Sequence, residues 1–405
     1  MPRTHFKTAF SNCGRGILQF SLEDRVSTFS TMKMAGLFLF ALALLGICQN
    51  CAQGFRRTTV NPAPYSLAAL APIPQSCSFR DQDWMSMKGA DVNLDEVTQD
   101  FLRDLRSHRA TLIRLSFRHT PLIKKDGKNQ INNEALQRLQ EVVGWAKSLG
   151  MHVIIDPHTF PGFKRDTTTL PKDVFWTDKA DQDLMVSAWG VVAKLMSSQF
   201  PTVIGYDILN EPSPPGTLAE AAAQWNALAN RAIAEIRHYD HCTYAVVESP
   251  RLRISYKLSI PSIKTLSYLD VTDPSERIVI SPHFYLPHEF AGQNIRGRPY
   301  GVKYPGTIAD LMWDKQQIQD QLEDARDIQK AKHYLIFVGE FDTDVYAGDL
   351  GGDKYIEDVS SLFNQYGWSW CIEIYGAGPY DIRNDTDPAG NVTGQRRWKA
   401  FLRAL

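Results

Sequence analysis

The stretch VIGYDILNEP, Val203 to Pro212, decides how the rest of the chain is read. Its first seven residues are mostly apolar, as in a strand buried on both faces of a parallel sheet, and the run then breaks into Asn210-Glu211-Pro212. A carboxylate just past a strand's C-terminal end is where α/β barrels keep their chemistry. Alone, Asn-Glu-Pro fits a solvated loop acid before a proline equally well. HYLIFVGE, His333 to Glu340, supplies the second signal: another apolar run that ends in a glutamate, within Gly339-Glu340-Phe341. If both strands curve into one barrel, two carboxyl groups far apart in sequence meet at one site, as cleavage of a glycosidic bond requires.

Working outward, the other segments alternate short apolar runs with helical periodicity, the pattern of βα units around a parallel sheet. Strands are predicted over Met87 to Val92, Thr111 to Ser116, His152 to Asp156, Val203 to Leu209, Thr243 to Glu248, Ile278 to Ser281, His333 to Val338 and Gly367 to Ile374. Helices are predicted over residues 95–108, 132–149, 181–200, 218–239, 308–331, 355–366 and 395–405. Eight strands in this rhythm predict a single (β/α)8 TIM barrel over 77–405 rather than an open sheet. A length of 405 residues with 43% hydrophobic content is enough for one large core. Lys plus Arg number 44 against 45 Asp plus Glu, a balance that provides neither a nucleic-acid groove nor a membrane-coating surface. A monomer that binds no nucleic acid is expected.

Ahead of the barrel, residues 1–31 show no sustained period. Met32-Lys33-Met34 then leads into AGLFLFALALLGI and a small and polar exit through Gly54. This is the layout of a signal peptide over 32–54, so export to the periplasm or medium is expected. A start at Met32 or Met34 would make 1–31 a mis-chosen translation start. The strongly apolar part is short for a membrane span, which needs about 20 residues. Residues 55–76, with Pro62, Pro64, Pro72 and Pro74, read as a linker or wrapping arm. Cys48 and Cys51 lie in the leader without a companion pair, which argues against a zinc or redox motif. Without the leader, Cys77, Cys242 and Cys371 remain, and one disulfide between two of them is compatible with export, the pair being left open.

With the barrel drawn, polar residues collect at strand ends: Arg114, His158, Asn210 with Glu211, His283 and Tyr285, Glu340, and Trp370. The segments IRL (113–115), DPH (156–158), GYDILNEP (205–212), HFY (283–285), GEF (339–341) and GWSW (367–370) resemble glycoside hydrolase family 5, the cellulase-like retaining barrels. The resemblance spans about Trp84 to Leu405. It implies Glu211 as general acid/base and Glu340 as nucleophile, with Arg114 keeping Glu340 charged. It also implies Asn210 on the sugar 2-hydroxyl, Tyr285 donating to Glu340, and His283 and His158 steadying carboxylates and sugar. Trp370 would be the stacking floor at the cleavage point, with Trp368, on the same strand face, as its rival. Here the segment reads Trp-Ser-Trp-Cys-Ile-Glu, which departs from the aromatic-Trp pair of many relatives.

Trp84, Phe160, Trp176 and Phe284 are candidates for further subsites, although aromatic residues mostly fill cores. No His-x-His, His-Glu-x-x-His or Gly-x-Ser-x-Gly pattern occurs, so neither a metal, a cofactor nor a serine elbow is expected. The implied activity is retaining hydrolysis of a β-linked polysaccharide, first an endo-β-1,4-glucanase and next a β-mannanase or β-1,3-glucan-active enzyme. A barrel that binds carbohydrate without cleaving it is the alternative from another class. The loops 117–131, 159–180 and 286–305 would choose the substrate.

Overall fold

The computed structural model describes residues 77–405 apart from residues 119, 125–129, 162, 164–173, 198, 254–258, 296 and 375–380. The expected leader, the segment before it and the proline-rich arm lie outside the described residues. Eight parallel strands close into a barrel: β1 (Lys88–Asn93), β2 (Leu112–Ser116), β3 (His152–Asp156), β4 (Val203–Asp207), β5 (Tyr244–Glu248), β6 (Ile278–Ser281), β7 (Leu335–Val338) and β8 (Ser369–Glu373). Each strand pairs with its sequence neighbours, and β1 pairs with β8 to close the ring.

Around it run α1 (Gln99–Ser107), α2 (Asn133–Ser148), α3 (Lys179–Met196), α4 (Leu218–Arg237), a short α5 (His288–Ala291), α6 (Lys315–Lys332), α7 (Gly352–Tyr366) and α8 (Arg396–Ala404). Local chemistry sets their ends. Thr217 and Glu220 form a reciprocal capping box at the start of α4, and Asp178 accepts from the first free N–H groups of α3.

Successive strand residues point alternately in and out, so two cores form. Ile113, Leu115, Val153, Ile155, Val247, Ile336 and Ile372 face the helices. Leu112, Ile154, Val246, Val279, Phe337 and Cys371 fill the barrel interior. Inward positions change character along the strands: Leu112 gives way to Arg114, Ile154 to Asp156, Val246 to Glu248 and Cys371 to Glu373. The lower barrel is hydrocarbon and the upper barrel is charge.

The lower opening is closed by the segment before β1. Trp84 lies 5.3 Å from the Tyr244 ring and 5.9 Å from Phe79, and the Tyr244 hydroxyl donates to Asp81. Of the pairs left open by the sequence, the disulfide joins Cys77 to Cys242, with Cα atoms 5.3 Å apart, and Cys371 is a buried free thiol inside the barrel. Trp84 is therefore a plug at the end opposite the strand C-termini and lines no subsite. Phe160, Trp176 and Phe284 are likewise buried in the outer core.

One departure from the expected elements stands out. Residues 308–331 are not one helix: Gly306–Ile308 and Leu311–Trp313 form an antiparallel hairpin, and α6 starts only after Asp314, which caps it. Ala309 and Asp310 both take positive φ (48° and 63°), the backbone a two-residue hairpin loop demands. Between β5 and β6 the described residues hold two 3-10 turns, Ser262–Lys264 and Leu266–Tyr268, where a barrel helix would be. Further hairpins follow β2, β5 and β8, so the added structure collects in the loops at the strands' C-terminal ends.

The disulfide joins residues 165 positions apart, and a loop of that size stabilises chiefly by restricting the unfolded chain. Replacing Cys77 and Cys242 together by Ser is expected to lower unfolding free energy by about 3–5 kcal/mol in denaturant titrations. Equal midpoints for the two proteins under oxidising conditions would contradict this.

Candidate active site

The upper barrel is organised on Arg114, the middle residue of β2, which is fully buried. All five guanidinium N–H groups are engaged. Nε donates to Asp207 (2.8 Å), Nη1 to Asp91 (2.5 Å) and Glu340 (2.9 Å), and Nη2 to Asn210 (3.0 Å) and Glu248 (3.2 Å). Asp156 adds an ion pair at 3.1 Å. One guanidinium cannot by itself balance five buried acids. Accordingly, burial pushes Asp207 and Glu248 up, Asp207 well above the carboxylate range, despite the guanidinium beside them.

Glu340, two residues beyond β7, is opposite in character. Burial opposes its charge, yet His283 and Arg114 hold its carboxyl well below the usual range, so it is ionised. Arg114 donates to Oε1, and the Tyr285 hydroxyl donates to Oε2 at 3.0 Å. Gly339 makes this packing feasible: a Cβ there would sit 2.7 Å from Ser281 Oγ and 3.0 Å from His283 Nε2.

Glu211 stands across from it at a backbone φ of +45°, a left-handed conformation that turns the chain sharply after β4. Its N–H donates to Glu248 Oε2 (2.8 Å), which fixes that turn. Its Oε2 takes a hydrogen bond from Arg251 (2.8 Å), and Oε1 lies 3.4 Å from His283 Nδ1. The nearest carboxyl oxygens of Glu211 and Glu340 fall within 4.8 Å of each other.

His283 sits between them. Nδ1 is 3.4 Å from Glu211 and 3.5 Å from Glu340, and Nε2 is 3.2 Å from Glu248. Burial works against a charged ring, but Glu248 and Glu340 raise its pKa well above the ordinary 6.5, so it is an imidazolium.

His158 is the reverse case. Burial, and then Arg118, lower its pKa, leaving a neutral ring. Nδ1 faces Asp156 at 2.8 Å, while Nε2 faces two donors, Arg118 Nη1 (3.3 Å) and Asn210 Nδ2 (3.2 Å). That surrounding assigns the proton to Nδ1 and the lone pair to Nε2. Asn210 has its oxygen on Arg114 and its amide nitrogen on His158, so it is clamped from both sides.

Arg114, His158, Asn210, Glu211, His283, Tyr285 and Glu340 are thus gathered at one end of the barrel. Trp370 is not, and this corrects the sequence expectation. It is fully buried on the outer side of β8, where Nε1 donates to Asn364 of α7 (3.0 Å) and the ring packs edge-on to Phe341 and Phe401. Trp368 also points outward, donating to Gln329 of α6 at 2.8 Å. Strand alternation sends 368, 370 and 372 to the helices and 369, 371 and 373 to the barrel. The inward residue at the end of β8 is Glu373, which pairs with Arg118 at 2.6 Å.

Reading from sequence missed Asp91, Arg118, Asp207, Glu248, Arg251 and Glu373. Glu248 was within reach of the criterion applied to Glu211 and Glu340, since it ends a predicted strand. Arg118 and Arg251 are loop residues with no local signature.

Among the described residues, two sets place one ligand atom per residue within 4.8 Å of one another: Glu211, His283 and Glu340, and Asp91, Glu340 and Glu373. In both, the positive charge a divalent ion would bring is already supplied by Arg114, Arg118 or His283.

A barrel with its acids, imidazolium and guanidinium at the strands' C-terminal end defines an α/β-barrel enzyme site. Residues 76–375 match the model of the cellulase family, glycosyl hydrolase family 5, and the chain belongs to that family as a glycoside hydrolase. It is 22% identical to endoglucanase C of Acetivibrio thermocellus over 301 residues, covering 67% of this chain and 82% of that one. A 159-residue segment is 23% identical to "Probable glucan 1,3-beta-glucosidase A" of Aspergillus fumigatus, over 39% of this chain and 36% of the other. Among solved structures, Thermotoga maritima Cel5A in complex with mannotriose superposes with a TM-score of 0.62 at 18% identity, covering 80% of this chain and 99% of the other. The cellulose synthase subunit Z of Clostridioides difficile gives the same score and identity over 79% and 99%.

Glu248 connects the Glu211 backbone, His283 and Arg114, and its charge is one of the two that hold the imidazolium. A raised pKa on His283 favours the folded state most at low pH, and this contribution is lost as pH rises through the folded value. In Glu248→Gln, the His283 titration followed by NMR is expected to move down by about one unit or more. An unaltered titration in a folded variant would contradict the arrangement.

Proposed function

We propose that this family 5 hydrolase is an endo-acting β-1,4-glucanase that retains anomeric configuration, with Glu340 as nucleophile and Glu211 as general acid/base. The observation that carries this reading is the facing pair of carboxyl groups with nearest oxygens within 4.8 Å. Retaining enzymes place the two carboxyls about 5–5.5 Å apart, whereas inverting enzymes keep about 6.5–9.5 Å to admit a water.

In the first step Glu340 attacks the anomeric carbon while Glu211 protonates the departing oxygen. An ionised nucleophile is required, and Arg114, His283 and Tyr285 all favour the charge on Glu340. In the second step Glu211, now a base, takes a proton from water, which attacks the glycosyl ester and releases Glu340. His283, between the two carboxyls, offsets the negative charge that shifts from one to the other. Asn210, fixed by Arg114 and His158, offers an amide for the sugar 2-hydroxyl.

The likeness to endoglucanase C favours a β-1,4-glucan, and the shorter likeness to the 1,3-β-glucosidase favours a β-1,3-glucan as the second reading. We also infer export, on the leader at 32–54 together with the Cys77–Cys242 disulfide, because disulfides persist mainly in oxidising compartments.

The test is hydrolysis of soluble β-1,4- and β-1,3-glucans, β-mannan and aryl β-glycosides, with product configuration read by NMR. Retained configuration is expected, and Glu340→Gln or Glu211→Gln should each lower kcat on the polymer about 10³-fold or more. Inverted product would overturn the mechanism. Oligosaccharide binding without turnover on any of these substrates would point to a binding barrel.

A further inference from the structure

Glu373 closes β8 on its inward face, beside Asp91 in the barrel register, and is 3% exposed. Arg118 Nη2 donates to its Oε1 at 2.6 Å. Its Oε2 is buried with no hydrogen-bond partner among the described residues, an uncommon condition for a buried carboxyl oxygen. A Glu373 oxygen also lies within 4.8 Å of one on Glu340. A sugar whose anomeric carbon is placed for attack, roughly 3–3.5 Å from the nucleophile, therefore comes within contact of Glu373.

Resting on the reading of Glu340 as nucleophile, we propose that Glu373, held by Arg118, is a substrate-binding residue that hydrogen-bonds a ring hydroxyl of the sugar at the cleavage point. It stands where an aromatic floor was expected from the eighth strand, both of whose tryptophans face the helices. Recognition on this side of the sugar is then by a hydrogen bond to its edge in place of stacking on its face. Arg118 is itself fixed, donating from Nε to Ser116 Oγ (3.1 Å) and reaching His158 Nε2 through Nη1. Glu373, His158 and Asn210 therefore form one connected rim of polar groups contributed by three strands.

The substrate class this rim fits is a neutral, fully hydroxylated hexopyranoside. A uronic acid here would bring another carboxylate beside the ionised Glu340. Burial also pushes the Glu373 carboxyl well above its ordinary range, against the pull of Arg118, so the group offers an O–H as well as an acceptor. A glutamine of the same shape has equivalent hydrogen-bonding capacity, which gives the proposal its sharpest test.

The experiment uses aryl β-cellobiosides lacking the 3- or the 6-hydroxyl of the sugar next to the aryl group, beside the intact compound. On the intact substrate, Glu373→Ala is expected to lower kcat/KM about 30-fold, and Glu373→Gln to stay within about 3-fold of the parent enzyme. On one of the two deoxy substrates, the parent enzyme should fall about 10-fold or more, and E373A should then differ from it by less than about 3-fold. Equal deoxy losses in E373A and the parent enzyme would overturn the contact while leaving the hydrolase reading intact. If E373A does not fold, the parent enzyme decides alone: less than about 3-fold loss on both deoxy substrates overturns the proposal. Failure of the parent enzyme to cleave the intact compound or any polymer would instead remove the reading on which the proposal rests.

Discussion

A single buried guanidinium determines what the upper half of this barrel contains. Arg114 lies near the barrel axis with every N–H committed, and its acceptors come from β1, β4, β5 and the turns after β4 and β7. A buried cation is tolerated only when its partners are close and well aligned, and those partners in turn need the cation. Arg114 thus ties together residues that span from position 91 to position 340. It also links stability to chemistry, because the group that binds the buried acids also joins His283 in keeping Glu340 ionised.

Two histidines with opposite protonation divide the site. His283 lies among Glu211, Glu248 and Glu340 and is charged, whereas His158 meets Arg118 and an amide donor and is neutral. The charge on His283 follows from carboxylates contributed by other strands, whereas burial first and Arg118 second keep His158 neutral. The two central glutamates differ in their surroundings too: Glu340 is surrounded by donors, while Glu211 sits on a strained turn, is more exposed and shares its oxygens with Arg251 and His283. Opposed carboxyl groups can take different roles only when their surroundings differ in this way.

The eighth strand shows where resemblance and geometry part. Its aromatic-rich segment suggested a sugar platform, but alternation along a strand leaves no freedom: if Cys371 fills the interior, Trp368 and Trp370 must face the helices. There both indole nitrogens find amide acceptors and both rings find apolar neighbours, so the two residues are satisfied as core. The position that reaches the site is Glu373, an acidic residue that a search for aromatics passes over.

Most of the fold was legible from sequence. All eight strands and the long helices lie close to their expected positions because buried parallel strands and amphipathic helices leave strong periodic signals in local sequence. The hairpin at 306–313 was missed because its turn depends on two non-glycine residues at positive φ, which carry no compositional mark. By itself the sequence determined the barrel, the strand-end glutamates 211 and 340, and five of the residues around them, Arg114, His158, Asn210, His283 and Tyr285, since each lies in or just after a readable strand. Only the tertiary structure decided which cysteines pair, which way the tryptophans of β8 face, and that Asp91, Arg118, Asp207, Glu248 and Glu373 belong to the same site. The physical reason is that a carboxylate's partner, and hence its charge and role, is set by distances across the barrel, whereas periodicity reports only what lies a few residues away along the chain.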